Sequence, residues 1–284
     1  MMKETVFNER GSDLTVEKSM ITRRGIHVGI FAVVALSCGW IGRWLDTYAG
    51  RDASGSLGQL LWIAAPVLTM ILLRSAAGDG WKDAGLRLRG HGRYYAGSVL
   101  FFPALMLLVV GFGVCVGWMD WTGISPQTYV KACALALIPS FIKNIAEEFA
   151  WRGYLAPSLF ALGVPRLWAH AVTGLIWGAW HIPYLFLFIT TSEGMLTFLP
   201  RMLLGVVAMA IVYGEIRLRT GSVWPAVLMH TVGNALMNPL IAGEYLAVKE
   251  KLQALATPSP DGWVAMGLTG AAGIWLMRKK QRTA

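Results

Sequence analysis

Apolar residues in this chain fall into long blocks, and eight of them are long enough to cross a bilayer: roughly 25–45, 57–74, 94–118, 129–150, 167–190, 197–215, 222–242 and 262–278. A helical crossing takes about 20 mostly apolar residues, and in lipid every backbone polar group must be satisfied within the segment. Only 14% of the 284 residues are charged and 55% are hydrophobic, whereas soluble domains carry about 25% charged residues. A chain this apolar has no aqueous way to bury its surface, so lipid is the expected solvent. Thirteen Trp and thirty-two Gly suit headgroup anchoring and close helix packing. The expected fold is all-α, a polytopic membrane helical bundle of about eight transmembrane helices. Residues 25–278 form the bundle, 1–24 a polar cytosolic tail and 279–284 a basic cytosolic tail. The polar, mixed-charge start is unlike a cleaved secretory signal. The fourth block is expected to run on past Trp151 toward Gly163-Val164-Pro165, where Gly and then Pro mark a stop.

The net charge of +9 has a topological reading. With eight crossings, the tail, the 74–93 loop, Arg152, Arg166, Arg217, Arg219 and the C-terminal segment place eighteen Lys and Arg on one side. Arg43, Arg51, Lys131, Arg201, Lys249 and Lys251 place six on the other, and Lys143 lies within a span. The positive-inside rule then puts both termini in the cytoplasm. No basic stripe interleaved with aromatics is present, so nucleic acid is not an expected partner. Cys38, Cys115 and Cys133 are scattered without metal or disulfide spacing, and they read as small core residues.

Ionisable groups inside a span cost several kcal/mol unless paired or hydrated, which marks each as a functional candidate. They cluster here on three spans: Glu147, Glu148 and Arg152 on the fourth, Trp177-Gly178-Ala179-Trp180-His181 on the fifth, and His230 with Asn234 on the seventh. Residues four apart on a helix share a face and adjacent ones diverge by about 100°. Glu148 is therefore expected to pair with Arg152, leaving Glu147 aimed elsewhere and free, while His230 and Asn234 project together. Distances along the helices place the three segments at a similar depth, joined by a water-filled cavity expected to open to the cytosol. Such a set suits hydrolysis, with Glu147 and His181 holding and deprotonating a water while His230 and Asn234 donate to the developing oxyanion, each donor worth roughly 3 kcal/mol.

Trp151, Trp177 and Trp180 are candidates to line the cavity, or else to pack neighbouring helices. Gly174, Gly178 and Gly233 are expected to permit close helix approach, and Pro183 to kink its span. Glu215 and Arg219 read as an interfacial pair. Two His and two Glu could also bind zinc, but the HExxH spacing is missing and Asn234 is a poor zinc ligand. Proton-coupled transport is a further reading of intramembrane carboxylates and imidazoles, weakened by the lack of a visible inverted repeat.

The pattern Glu-Glu-x-x-x-Arg, aromatic-x-x-x-His, His-x-x-x-Asn, met at Glu147, Glu148, Arg152, Trp177, His181, His230 and Asn234 over roughly 130–240, resembles the CAAX prenyl endopeptidase and bacteriocin-processing (CPBP, Abi) family of glutamate-type intramembrane proteases. Trp177 stands where Phe is commoner. The resemblance implies a helical membrane bundle with a cytosol-facing cavity, residence in a membrane such as the bacterial cytoplasmic one, and peptide-bond hydrolysis without a required cofactor or metal. It implies a membrane-associated or lipidated peptide or protein as substrate, with Glu147 and His181 activating water and His230 and Asn234 forming the oxyanion site. Some members are proposed to be non-proteolytic immunity or partner-binding proteins, and that alternative stays open.

Overall fold

A computed structural model of the chain describes residues 2–51, 55–90, 92–187 and 193–279. All eight apolar blocks fold as helices. They are α1 (Met2–Tyr48), α2 (Leu57–Ser75), α3 (Gly92–Cys115), α4 (Pro126–Ala150), continued by a π-turn (Trp151–Leu155) into α5 (Ala156–Ala161), α6 (Arg166–His181), α7 (Met195–Thr220), α8 (Trp224–Ala242), and, after the four-residue α9 (Gln253–Ala256), α10 (Trp263–Arg278). Two three-residue strands, β1 (Met119–Trp121) and β2 (Leu246–Val248), pair antiparallel with Asp120 opposite Ala247. The fold is the expected all-α bundle.

Among the described residues, five helical stretches are individually long and apolar enough to cross a membrane: Ser19–Tyr48, Leu57–Ser75, Gly92–Cys115, Pro126–Ala161 and Met195–Thr220. The other three are shorter or more polar. α6 and α10 have 16 residues each, and α8 carries His230, Asn234 and Asn238 and packs beside α3, α4 and α7. Helices enclosed by others need not match the bilayer alone.

Hydrogen bonds define two ends, between which the helices alternate. At one end the start of α1 meets the α2–α3 loop through Arg24–Asp83 (3.2 Å) and His27–Asp79 (2.9 Å). There the α7–α8 turn joins the same loop through Arg217 to the Asp83 carbonyl (2.7 Å) and Val223 N–H to the Gly85 carbonyl (2.9 Å), and Arg219 reaches the Lys279 carbonyl (2.7 Å). At the opposite end Asp46 accepts from the Gly58 N–H (3.0 Å), Thr122 donates to the Glu244 carbonyl (2.8 Å), and Arg201 donates to the Asp261 carbonyl (2.5 Å). The first end collects the basic connectors, as charge counting expects.

Several boundaries differ from expectation for local reasons. α1 begins at Met2, so the polar start is helical and runs into the apolar stretch Ser19–Tyr48. α6 stops at His181 instead of extending to 190, and Ile182–Leu187 forms a 3-10 turn; Pro183 lacks the N–H that an α-helix would use there. Residues 188–190 lie outside the described residues. α7 continues to Thr220, five residues past its expected end, and closes on Gly221 in the left-handed region (φ 64°), where glycine meets no Cβ penalty.

Glycine sets the helix spacing where α6 meets α7. A Cβ on Gly174 would lie 2.7 Å from the Cα of Val207, so any larger residue would push the helices apart. The outer surface stays apolar, with Leu107, Ile138 and Leu135 among the most exposed side chains, as lipid contact requires.

Candidate active site

The site is assembled between two antiparallel helices. On α4, Asn144, Glu148 and, one turn on in the π-turn, Arg152 share a face, and on α8 His230 and Asn234 do the same. The facing pairs form two rungs: Glu148 Oε1 accepts from His230 Nδ1 (2.9 Å), and Asn234 Nδ2 donates to Asn144 Oδ1 (3.1 Å). Glu148 Oε1 also accepts from Arg152 Nη1 (3.0 Å), the pairing that the four-residue spacing predicts. Asn144, Glu148 and Arg152 are all fully buried. The guanidinium of Arg152 lies 4.3 Å from the Trp177 ring centre and 4.8 Å from that of Tyr213, where the ring faces attract its charge.

Glu147 is not free. It points some 100° away from Glu148, as adjacent helical residues must, but its carboxylate is held by the Lys143 ammonium one turn back and accepts from Trp177 Nε1 (2.7 Å). Lys143 Nζ lies 5.6 Å from the ring centres of both Trp62 and Trp180. Lys143 and Asn144 join the site from outside the sequence motif. An intramembrane lysine four residues before a glutamate was the available sign for the first; for Asn144, only the neighbouring helix reveals the partner.

His181 sits at the last position of α6, where its Nδ1 meets the Trp177 carbonyl (2.8 Å). A carbonyl only accepts, so in the neutral ring Nδ1 carries the proton and Nε2 keeps its lone pair. His230 Nδ1 likewise faces a carboxylate, so a donor role at its Nε2 requires a doubly protonated ring, for which Glu148 is the counter-charge.

Lys143, Trp177, His181, Tyr213, His230 and Asn234 line one cavity of about 390 Å3, within the range of small-ligand and peptide side-chain pockets. Glu147 lies behind Lys143 and Trp177 in its wall. Trp151 and Trp180 do not line this cavity: Trp180 stacks on Trp62 (4.2 Å between centres) and Trp151 packs edge-on to Phe31 and Trp180. One residue of helical rotation separates Trp180 from His181 and turns it toward α2. The cavity, expected to open at the basic end, instead runs along α8 past Asn238 and Ile241 to Ser259–Asp261 at the opposite end.

Glu215 meets Arg219 Nε (3.9 Å), the pair that the sequence suggests, but it is fully buried, and its carboxylate also accepts from Arg166 on α6 (Nε, 2.5 Å) and meets His170 Nε2 (3.1 Å). The five extra residues of α7 bring it inside the bundle. Among the described residues, no group of three His, Cys, Asp or Glu is arranged to hold a metal ion.

A polytopic helical membrane bundle with a carboxylate, imidazole and amide constellation on the wall of an internal cavity is the class that fold and site define. Residues 129–236, from α4 through α8, match the family described as Rce1-like, type II CAAX prenyl endopeptidase Rce1-like. That segment holds all seven motif residues, and it carries the family resemblance read from them. No curated protein matches the chain.

Proposed function

We propose that the protein is a membrane-embedded endopeptidase that hydrolyses a peptide bond in a membrane-associated or lipidated peptide or protein. The observation that carries this reading is that His181, His230 and Asn234 line one cavity with the Glu147 carboxylate directly behind Lys143 and Trp177 in its wall. In the proposed mechanism a water sits between the Glu147 carboxylate and His181 Nε2. Glu147 takes its proton as the oxygen attacks the scissile carbonyl, His230 Nε2 and Asn234 Nδ2 donate to the resulting oxyanion, and its collapse breaks the C–N bond as Glu147 passes the proton to the leaving amine. Glu148 orients His230, Arg152 compensates Glu148, and Asn144 orients the Asn234 amide. The bundle would sit in a cytoplasmic membrane with its basic end and both termini on the cytoplasmic side.

The test is comparative peptidomics of membranes containing the native protein or Glu147→Gln. One peptide accumulating uncleaved with a folded variant is the expected result, and cleavage retained by Glu147→Gln overturns the mechanism.

One observation favours a second reading. The Lys143 ammonium occupies the carboxylate that would act as base, as suits a non-proteolytic immunity or partner-binding protein. On that reading partner binding or immunity survives Glu147→Gln, and no uncleaved peptide accumulates.

A further inference from the structure

The end at which the catalytic cavity opens and the end that carries the positive charge are not the same. Trp177, Tyr213 and His230 form the cavity floor, and from there it follows α8 through Asn234 and Asn238 to Ile241. A second cavity of about 540 Å3 shares Ile241, Ser259 and Asp261 with the first. Its remaining wall comes from connectors of that end, including Thr122, Glu244 and Ala247 on and beside the β1–β2 pair. Arg201 pins this wall: it donates to the Asp261 carbonyl (2.5 Å) and to Glu193 (2.6 Å). The α2–α3, α5–α6 and α7–α8 connectors, which make up the basic end, contribute no lining residue to either cavity.

Of the eighteen Lys and Arg that the sequence assigns to the basic end, Arg152 lies in the site itself and Lys280 and Arg282 lie outside the described residues, which leaves fifteen there against six at the end where the cavity opens. The connectors are short, which is the regime in which the distribution of Lys and Arg sets orientation. A cytoplasmic basic end and a cytosol-facing cavity therefore exclude each other in this fold.

We propose that the catalytic cavity opens on the non-cytoplasmic side, and that the substrate is a peptide segment presented there, entering between the β1–β2 pair and the 257–262 loop. This rests on the proposed peptidase reading for the word substrate, and on charge and cavity geometry for the side. It reverses the side that the family resemblance implies.

The test reads the side without needing hydrolysis. In full-length protein with Cys38, Cys115 and Cys133 replaced by Ser, single cysteines are placed by Ala247→Cys in the outer cavity, Asn238→Cys in the inner one and Lys82→Cys at the basic end. A sulfonated, membrane-impermeant maleimide is then applied to intact cells and to inverted vesicles. The expected result is labelling at 247 and 238 in intact cells and at 82 only in inverted vesicles. Labelling at 82 in intact cells with 247 reached only after inversion overturns the proposal, as does labelling of 82 and 247 from one side. Label at 247 without label at 238 overturns the continuous path. Any of these outcomes leaves hydrolysis itself to be decided by Glu147→Gln.

Discussion

A single oxygen, Glu148 Oε1, joins Arg152 and His230, and this makes Glu148 a positioning residue. Removing one partner of a buried ion pair leaves an uncompensated charge and costs about 3–5 kcal/mol. Arg152→Ala is thus expected to lower the unfolding temperature in detergent sharply and to reduce folded yield. Asn144→Leu has a different expected outcome. It removes the hydrogen-bond partner of Asn234 but keeps the packing volume, so about 1 kcal/mol of positioning, roughly a fivefold loss in kcat, should follow with stability nearly retained. Equal losses in kcat and melting temperature would argue that Asn144 serves the fold alone. Zinc chemistry is tested at the same scale. Glu148 Oε1 already serves two donors, so hydrolysis is expected to persist through EDTA and phenanthroline; loss restored by zinc would sink the metal-independent scheme.

At the scale of elements, the site depends on how closely α6 packs on α7 and on where α6 stops. Gly174→Leu would drive a side chain into the Val207 backbone, which has no flexible end to give way. The expected result is a loss of both stability and hydrolysis, since Trp177 and His181 ride on the displaced helix. Gly97→Leu is the matched control, because a Cβ there meets nothing within 4 Å, and it should leave both properties unchanged. The π-turn is held from outside by Arg74, whose Nη2 donates to the Gly153 carbonyl (2.6 Å). This bond links the Arg152 clamp to the last turn of α2, so helix ends far from the cavity help set the Glu148 geometry.

Across the whole molecule, charge asymmetry and cavity direction are separable properties. Neutralising Lys82, Arg87 and Arg89 by Gln weakens the positive bias of the basic end. It is expected to raise the fraction of molecules whose C-terminal tag is reached from outside intact cells. An unchanged fraction would mean that the remaining basic connectors suffice to orient the bundle.

The helices and the pairings within them could be read from the sequence, because both are local. Apolar length dictates a bilayer crossing whatever lies beside it, and a four-residue spacing dictates a shared face, so all eight blocks appear as helices and Glu148 meets Arg152 as expected. Boundaries shifted at α1, α6 and α7, and Pro183 accounts for the early stop of α6. Contacts between helices were a different matter. Asn144 on Asn234, the burial of Glu215 against α6 and the turn of Trp151 and Trp180 away from the cavity all depend on which helix lies opposite and how far it is rotated. The direction of the cavity is of the same kind. The sequence by itself determined a lipid-embedded helical bundle, its charged end and the motif residues, since length, periodicity and charge act locally. Only the tertiary structure decided that the cavity leads away from the charged end, because an opening is the space left between helices and no segment encodes it alone.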